Sequence, residues 1–534
     1  MPDNPRLTES TETDLLRSPL LRPAGRNGGE KLCIDDMLRN HCGEFGRWQL
    51  RHFILTSMAW SLEAFHTMVV IFADNVPEWR CTAESCFPEA KSVCQLEPGS
   101  WEWIGGPGSS TVAEFGLICS EKYKVGLVQA LFFAGSMIGA GVFGHLSDSR
   151  LGRKGSLLTV CMLNAIFGCL TALSPNYWAY AVLRFLTGFS TGGVGLSAFV
   201  LATEPVGPNK RGVVGMSTFY FFAGGIALLS VISYFFQSWR ALYVGTSIPS
   251  FIFLVAALPL VSESPRWCLI RGKTPRAMKI MRRIAESNGN ILPAGVSLAL
   301  DDDDGDKDPS TSPVNSNGGT TEKEEAAAMI TTGSLLDVLA SPIMRVRLLL
   351  AVAISFFVSV VYYGLSLNVV NLGTDLHLNV FLNAIAEMPA FFLTAILLNP
   401  LGRKPLAIGT QILSGAFCVA GGALKSPEGW LKTARMVCGI LGIFGMAGTY
   451  NLLYIYTVEL FPTVVRNAAL GCATQAAQLG AILAPVIVVS GDNVPFAVFG
   501  FCGIAGGLLA AMLPETSNRP LYDTVAGMEE GERK

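Results

Sequence analysis

Charge is what this sequence has least of. Of 534 residues only 15% are Asp, Glu, Lys or Arg, against about 25% in a soluble domain. The formal net charge is −2, so no global field of either sign invites nucleic acid. Histidine is scarce, with five in the chain. There is no HExxH and no GxxxxGK[ST], and the one match to GxSxG, GFSTG at 188–192, falls inside an apolar run, so neither an enzyme nor an ATP-driven pump is expected, and no metal or other cofactor. No Asn-x-Ser/Thr acceptor occurs. The first fifty residues lack the short apolar core of a cleaved signal peptide, which leaves insertion to the first spanning helix. Alternation of period two is missing, which argues against a β-barrel.

Apolar residues fill the space that charge leaves. Half the chain is hydrophobic and the mean hydropathy is +0.43. A helix needs about 20 apolar residues to cross the hydrocarbon. Twelve runs qualify, near 51–73, 125–146, 156–173, 178–203, 211–235, 240–261, 346–368, 379–398, 405–424, 434–458, 467–490 and 494–513. The expected fold is an all-α membrane protein, with twelve transmembrane helices in two pseudo-symmetric six-helix bundles. The expected organisation is a mostly disordered tail (1–50), a first bundle (51–261), a linker (262–345), a second bundle (346–513) and a short tail (514–534).

Most of the 39 Lys and Arg residues fall on one side if the N-terminus lies in the cytosol. The positive-inside rule then places both termini and the linker in the cytoplasm. The membrane expected is the plasma or the vacuolar one. Within the external loop 74–124, Cys81, Cys86, Cys94 and Cys119 face an oxidising space, so two disulfides are expected, in any of three pairings. The linker opens with a basic amphipathic stretch, SESPRWCLIRGKTPRAMKIMRRIAESNG, expected to be helical. It continues into DDDDGDKDPSTSPVNSNGGTTEKEE, which is too polar to bury a core. The run Asp301–Asp304 is read as solvated linker rather than a Ca²⁺ site.

The charged turn GHLSDSRLGRKG at 144–155 has a shorter echo, NPLGRK, at 399–404, with Gly152 and Gly402 separated by 250 residues. Glu204 and Arg211 are seven residues apart, as are Glu459 and Arg466, and the two pairs are offset by 255 residues. Matching offsets predict an internal repeat of six helices. Asp148, Arg153, Lys154 and Arg403 at the membrane edge are expected to pair with Glu204, Arg211, Glu459 and Arg466 as a cytoplasmic gate. Such partly wet ion pairs are individually modest, which suits a mouth that must open and close.

These motifs resemble a known superfamily. The 144–154 loop resembles the signature loop of the major facilitator superfamily, and SESPRW with LPET resembles its sugar-porter branch. AEMPAFF, ELFPTVVRNAALG, LPETSNRPLYDTV and the external cysteine loop resemble the organic cation/carnitine transporter family. The first span, SLEAFHTMVVIFADNVPEWRC, is more similar to plant members. The resemblance implies a secondary transporter of small organic cations or carnitine-like zwitterions working by alternating access. Its partners would be that small-molecule solute and the lipid bilayer, with no nucleic acid. The alternatives are a proton-coupled sugar transporter and a non-transporting receptor on the same scaffold.

Ionisable residues inside spans are costly and therefore functional candidates. Glu387 is the strongest, since a buried carboxylate becomes favourable opposite a cation; the resemblance places it in a central cavity. Tyr362, in SVVYYGLSL, resembles a cavity tyrosine of the organic cation branch, which implies an aromatic face near the carboxylate for a quaternary ammonium. Glu63 and His66 share a helix face and are candidates for substrate or proton handling. Arg184 resembles the superfamily's fourth-helix arginine, for coupling or structure. Gln478 stands where the resemblance leads one to expect a charged residue, leaving charge preference to Glu387 and Glu63.

Overall fold

The computed structural model describes residues 31–83, 93–97, 99–149, 151–293, 295–298, 335–372, 374–424, 429–491, 493–517, 522 and 525–533. Among them twelve helices are long and apolar enough to cross a bilayer. We number these in chain order. The first half holds α1 (Arg47–Ala73), α2 (Cys119–Asp148), α3 (Gly152–Thr171), α4 (Tyr177–Thr203), α5 (Pro208–Phe235) and α6 (Trp239–Leu260). The second holds α7 (Pro342–Asn371), α8 (Leu376–Leu401), α9 (Arg403–Ala423), α10 (Trp430–Leu460), α11 (Val464–Val489) and α12 (Val494–Ala511). All twelve expected runs are helices, most of them starting a few residues earlier than hydropathy suggests. Hydropathy reports the thickness of the hydrocarbon, whereas the helical hydrogen-bond ladder continues into the headgroup layer.

In the first half α1 packs on α5, α2 on α4, and α3 on α4 and α6; in the second α7 packs on α11, α8 on α10, and α9 on α10 and α12. Adding six to each number turns one set into the other. The halves meet through α2 against α11 and α5 against α8, and the same operation exchanges these two contacts. The repeat written in the motifs is thus a structural repeat.

Small residues set the closest helix approach. Gly135 and Gly139 on α2 face Gly188 and Gly192 on α4, a G-x-x-x-G pattern on each helix. A Cβ on any of the four would overlap backbone atoms of Phe185, Phe189, Phe132 or Ser136 on the opposite helix. In lipid, where apolar surface gains little by hiding from tails, such contact is a main source of helix association.

One face of the bundle carries the cysteine loop between α1 and α2, where Trp79–Cys81 pairs antiparallel with Trp101–Trp103. Cys94 bonds to Cys119, and Cys81 is also disulfide-bonded; Cys86 lies outside the described residues. Glu114 in this loop accepts from the Trp239 indole at 2.7 Å and from Arg240, which ties the loop to the start of α6.

The opposite face, here the linker face, carries the α2–α3 and α8–α9 turns. The basic amphipathic stretch forms helices at Pro265–Ile270 and Thr274–Ser287. From Lys31 onward the N-terminal segment is structured; residues 1–30, which make up most of the tail expected to be disordered, lie outside the described residues. Ile34, Met37, Leu38 and Cys42 are buried against Trp267, Met281 and Ile284 of the linker helices, and Lys31–Leu32 pairs in parallel with Ser297–Leu298. Each segment alone is too polar to suggest a core. Together, more than two hundred residues apart in sequence, they bury one. The polar stretch 301–334, with the Asp301–Asp304 run, lies outside the described residues.

Candidate functional site

At mid-membrane an aromatic cluster bridges the halves between two carboxylates. Glu387 on α8 is 1% exposed, and its Oε2 accepts a 3.0 Å hydrogen bond from the Tyr362 hydroxyl on α7. The Tyr362 ring stacks on Tyr450 of α10, with centroids 4.9 Å apart and planes at 28°. Tyr363 and Tyr454 border the same rings. From the first half, Phe133 on α2 approaches Tyr363 at 4.8 Å, and Phe219 on α5 approaches Tyr454 at 6.0 Å. Glu63 on α1 enters from this side. Its Oε2 is buried without a hydrogen-bond partner, in the space that a Cβ on Gly195 would take. It lies close enough to Tyr363, Tyr450 and Tyr454 to act on them electrostatically.

No Lys or Arg pairs with Glu63 or Glu387 among the described residues. Two buried carboxylates, electron-rich ring faces and no resident cation make a site that gains most from a cationic guest. Beside the tyrosines, the cavity lined by Ser355, Tyr450, Tyr454 and Thr474 has a volume of about 30 Å³, room for about two waters at most.

The remaining intramembrane candidates separate from this cluster. The His66 ring is buried with neither nitrogen hydrogen-bonded and lies against Gly168 of α3 and Ser247 of α6, inside the first half. Its spacing from Glu63 puts both on one helix face without joining their surroundings. Arg184 is fully buried. It donates to the His66 carbonyl at 3.0 Å and to Gln129 Oε1 at 2.8 Å, and stands over the Phe132 ring at 4.3 Å, so it clamps α1, α2 and α4 together. Gln478 on α11 is half-buried and has no hydrogen bond to Glu387 or the tyrosines among the described residues. Sequence reasoning missed Tyr363, Tyr450 and Tyr454; the i, i+4 spacing of the last two was the available signal.

On the linker face the expected charges assemble within each half rather than across the mouth. Arg153 bonds Glu204 Oε1 at 3.1 and 3.2 Å and Asp148 at 2.6 Å. Arg403 binds both oxygens of Glu459 at 2.9 Å. Lys154 donates to the Val261 carbonyl at 2.6 Å. Arg211 and Arg466 stand outside these pairs. Arg211 bonds Asp35 of the N-terminal segment and the Val206 carbonyl; Arg466 reaches the Phe461 carbonyl. Arg266 joins Arg211 on Asp35. Burial alone would raise the Asp35 pKa, but the two guanidiniums outweigh it and hold it below the usual carboxylate range.

Two further carboxylates complete the symmetry. Glu263 of SESPRW accepts from the Lys154 and Ser264 N–H groups at 3.0 Å. Glu515 of LPET accepts from the Arg403, Lys404, Thr516 and Ser517 N–H groups at 2.8–3.0 Å. Each caps the start of a helix, α3 at Gly152 or α9 just after Gly402, where the macrodipole favours an anion. Both glycines have positive φ, 77° and 86°. A Cβ on either would stand 2.6 or 2.8 Å from the capping carboxylate. No other residue suits both demands.

Burial works against the Glu515 charge, yet the four N–H donors lower its pKa below the ordinary value. A depressed carboxylate contributes stability above its unfolded pKa and loses it as pH falls through the folded one. Thermal stability should therefore decline as pH drops below about 4, and Glu515→Gln should flatten that part of the pH profile. An identical slope in the variant would show that the cap contributes nothing.

A model of the sugar (and other) transporter family matches residues 48–526. Organic cation/carnitine transporter 4 of Arabidopsis thaliana is 64% identical, over 97% of this chain and 96% of that protein. This chain belongs to the organic cation/carnitine transporter family. Organic cation/carnitine transporter 2 of Arabidopsis thaliana is 36% identical over 95% of both chains, and the organic cation transporter protein of Drosophila melanogaster is 31% identical over 93% of this chain and 94% of that one. The partially occluded, inward-open xylose transporter XylE from E. coli superposes with a TM-score of 0.62 at 17% identity, covering 89% of this chain and all of that one. That likeness establishes the major facilitator fold. Members of the family are membrane transporters, so this chain is a secondary transporter and not an enzyme.

Proposed function

We propose that this transporter carries small organic cations or carnitine-like zwitterions. The observation that carries the reading is the mid-membrane pair of buried carboxylates, Glu63 and Glu387, flanking stacked tyrosines with no basic partner. A quaternary ammonium would take the ring faces and the Glu387 charge together. The names of the similar Arabidopsis proteins support the same substrate class. The linker face is cytoplasmic in this reading, with both termini beside it, in a plasma or vacuolar membrane. The basic linker helices and the disulfide-bonded loop on the other face support that orientation.

The test is uptake of labelled carnitine and tetraethylammonium into proteoliposomes, under an inside-negative potential and without a proton gradient. Uptake of either supports the proposal. Silence, with glucose uptake under an acid-outside gradient, would replace it with a proton-coupled sugar transporter.

The linker-face clusters have a conformational role in this reading. Arg153 ties the end of α2, the start of α3 and the end of α4 into one piece. Losing about 1.4 kcal/mol from one state shifts its population tenfold. Arg153→Ala should therefore cut maximal uptake about tenfold with KM within about twofold, because the substrate site is untouched. A large rise in KM with normal turnover would refute the conformational role.

A further inference from the structure

A cavity of about 870 Å³ opens on the linker face, between the first turn of α1, the start of α3, the end of α6 and the helix Thr274–Ser287. Five cations line it, namely Arg51, Lys154, Arg276, Lys279 and Arg283, against two carboxylates, Glu263 and Glu286. Glu263 already accepts from backbone N–H groups. Lys154 reaches a carbonyl, whereas Arg51, Arg276, Lys279 and Arg283 have no ion pair among the described residues and are solvent-exposed. Like charges gathered around a hollow repel one another unless an anion fills it. Arg51, Arg276, Lys279 and Arg283 belong neither to the mid-membrane site nor to the linker-face ion pairs.

The location indicates where the anion comes from. Arg51 and Lys154 sit within one turn of the ends of membrane helices, at headgroup depth. Exposed apolar side chains run from the rim into the hydrocarbon zone, with Leu50, Ile54 and Met58 on α1 and Ile252, Val255 and Leu260 on α6. They form a path for acyl chains beneath a charged head. A pocket of several hundred Å³ suits a ligand larger than a lone phosphate. We propose that this cavity binds the phosphate-bearing headgroup of an anionic phospholipid. Basic pockets at helix ends on the cytoplasmic side have the chemistry to do so. The bound head would bridge the linker helix to α1 and α3, making the position of that helix depend on the lipid.

The experiment measures affinity of the full-length protein for dioctanoyl phosphatidylinositol 4,5-bisphosphate, with inositol hexakisphosphate and dioctanoyl phosphatidylcholine as comparison probes. Each surface cation is worth about fivefold in binding to such a lipid. The combined variant Arg276→Ala, Lys279→Ala and Arg283→Ala should thus bind about a hundredfold more weakly. Arg282→Ala, on the same helix but outside the cavity, should stay within about twofold. Because the three altered side chains are exposed, folding should persist. The charge-retaining variant Arg276→Lys and Lys279→Arg, with Arg283 kept, should bind as tightly as the unaltered protein. Unchanged affinity in the triple variant, or an equal loss in Arg282→Ala, would overturn the site. Inositol hexakisphosphate binding as tightly as the lipid would overturn the lipid as its source.

Discussion

Glu387→Gln should abolish uptake of organic cations while leaving the protein folded and inserted. Glutamine has nearly the same shape, and its carbonyl can still accept from the Tyr362 hydroxyl that now donates to Glu387. Only the charge is lost. A desolvated charge pair deprived of one partner loses about 3–5 kcal/mol, so uptake should fall at least a hundredfold. The rings that stack around the site would remain to bind neutral solutes. The measurement is initial-rate uptake of tetraethylammonium into proteoliposomes, with size-exclusion profiles of both proteins as the check on folding. Wild-type rates in the variant would remove Glu387 from the substrate site. Glu63→Gln is a useful companion: a comparable loss would show that the guest contacts both carboxylates.

Gly139→Leu should prevent accumulation of folded protein altogether. No rotamer relieves the overlap, because the Cβ itself would meet the Phe189 backbone on α4. Neighbouring Gly135, Gly188 and Gly192 make the same approach, so the helices have to separate along the whole seam. Overpacking in a core costs about 1–3 kcal/mol when side chains can adjust; here the obstacle is main chain, and the cost should exceed that. Even Gly139→Ala should lower the melting temperature markedly. Gly141→Ala is the control, since nothing lies within 4 Å of a Cβ there. Equal stability of the two alanine variants would refute the seam as a determinant of the fold.

The twelve spans were legible in the sequence because lipid enforces long, uniformly apolar helices, and the repeat because its motifs recur at nearly constant offset. Glu387 was conspicuous for a related reason, as an ionisable group in a span stands out against an apolar background, whereas Tyr362 was singled out by its likeness to a tyrosine of the family. Tyr363, Tyr450 and Tyr454 were not, since aromatics at 10% are everywhere in such a chain and only the fold selects which of them meet. The linker-face acids were visible, but their partners were not. Arg211 finds Asp35, in a segment whose composition gave no sign of order. Glu263 and Glu515 lie in recognisable motifs, yet their role as caps depends on backbone N–H groups more than a hundred residues distant in sequence.

Because Arg153 closes on Glu204 and Arg403 on Glu459, each within its own half, these four charges form no ionic lock between the linker-face ends in this conformation. What the halves share is mostly carbon, with Phe133 on Tyr363 and Phe219 on Tyr454 and Phe391, beside a hydrogen bond from the Ser230 hydroxyl to the His377 carbonyl. Rocking the bundles apart therefore wets aromatic surface, and hydration of such surface carries a large heat capacity. The conformational step of the cycle should respond weakly to ionic strength and show a curved temperature dependence, placing the carrier's control in the solvent's response to heat rather than in the cell's electrolytes.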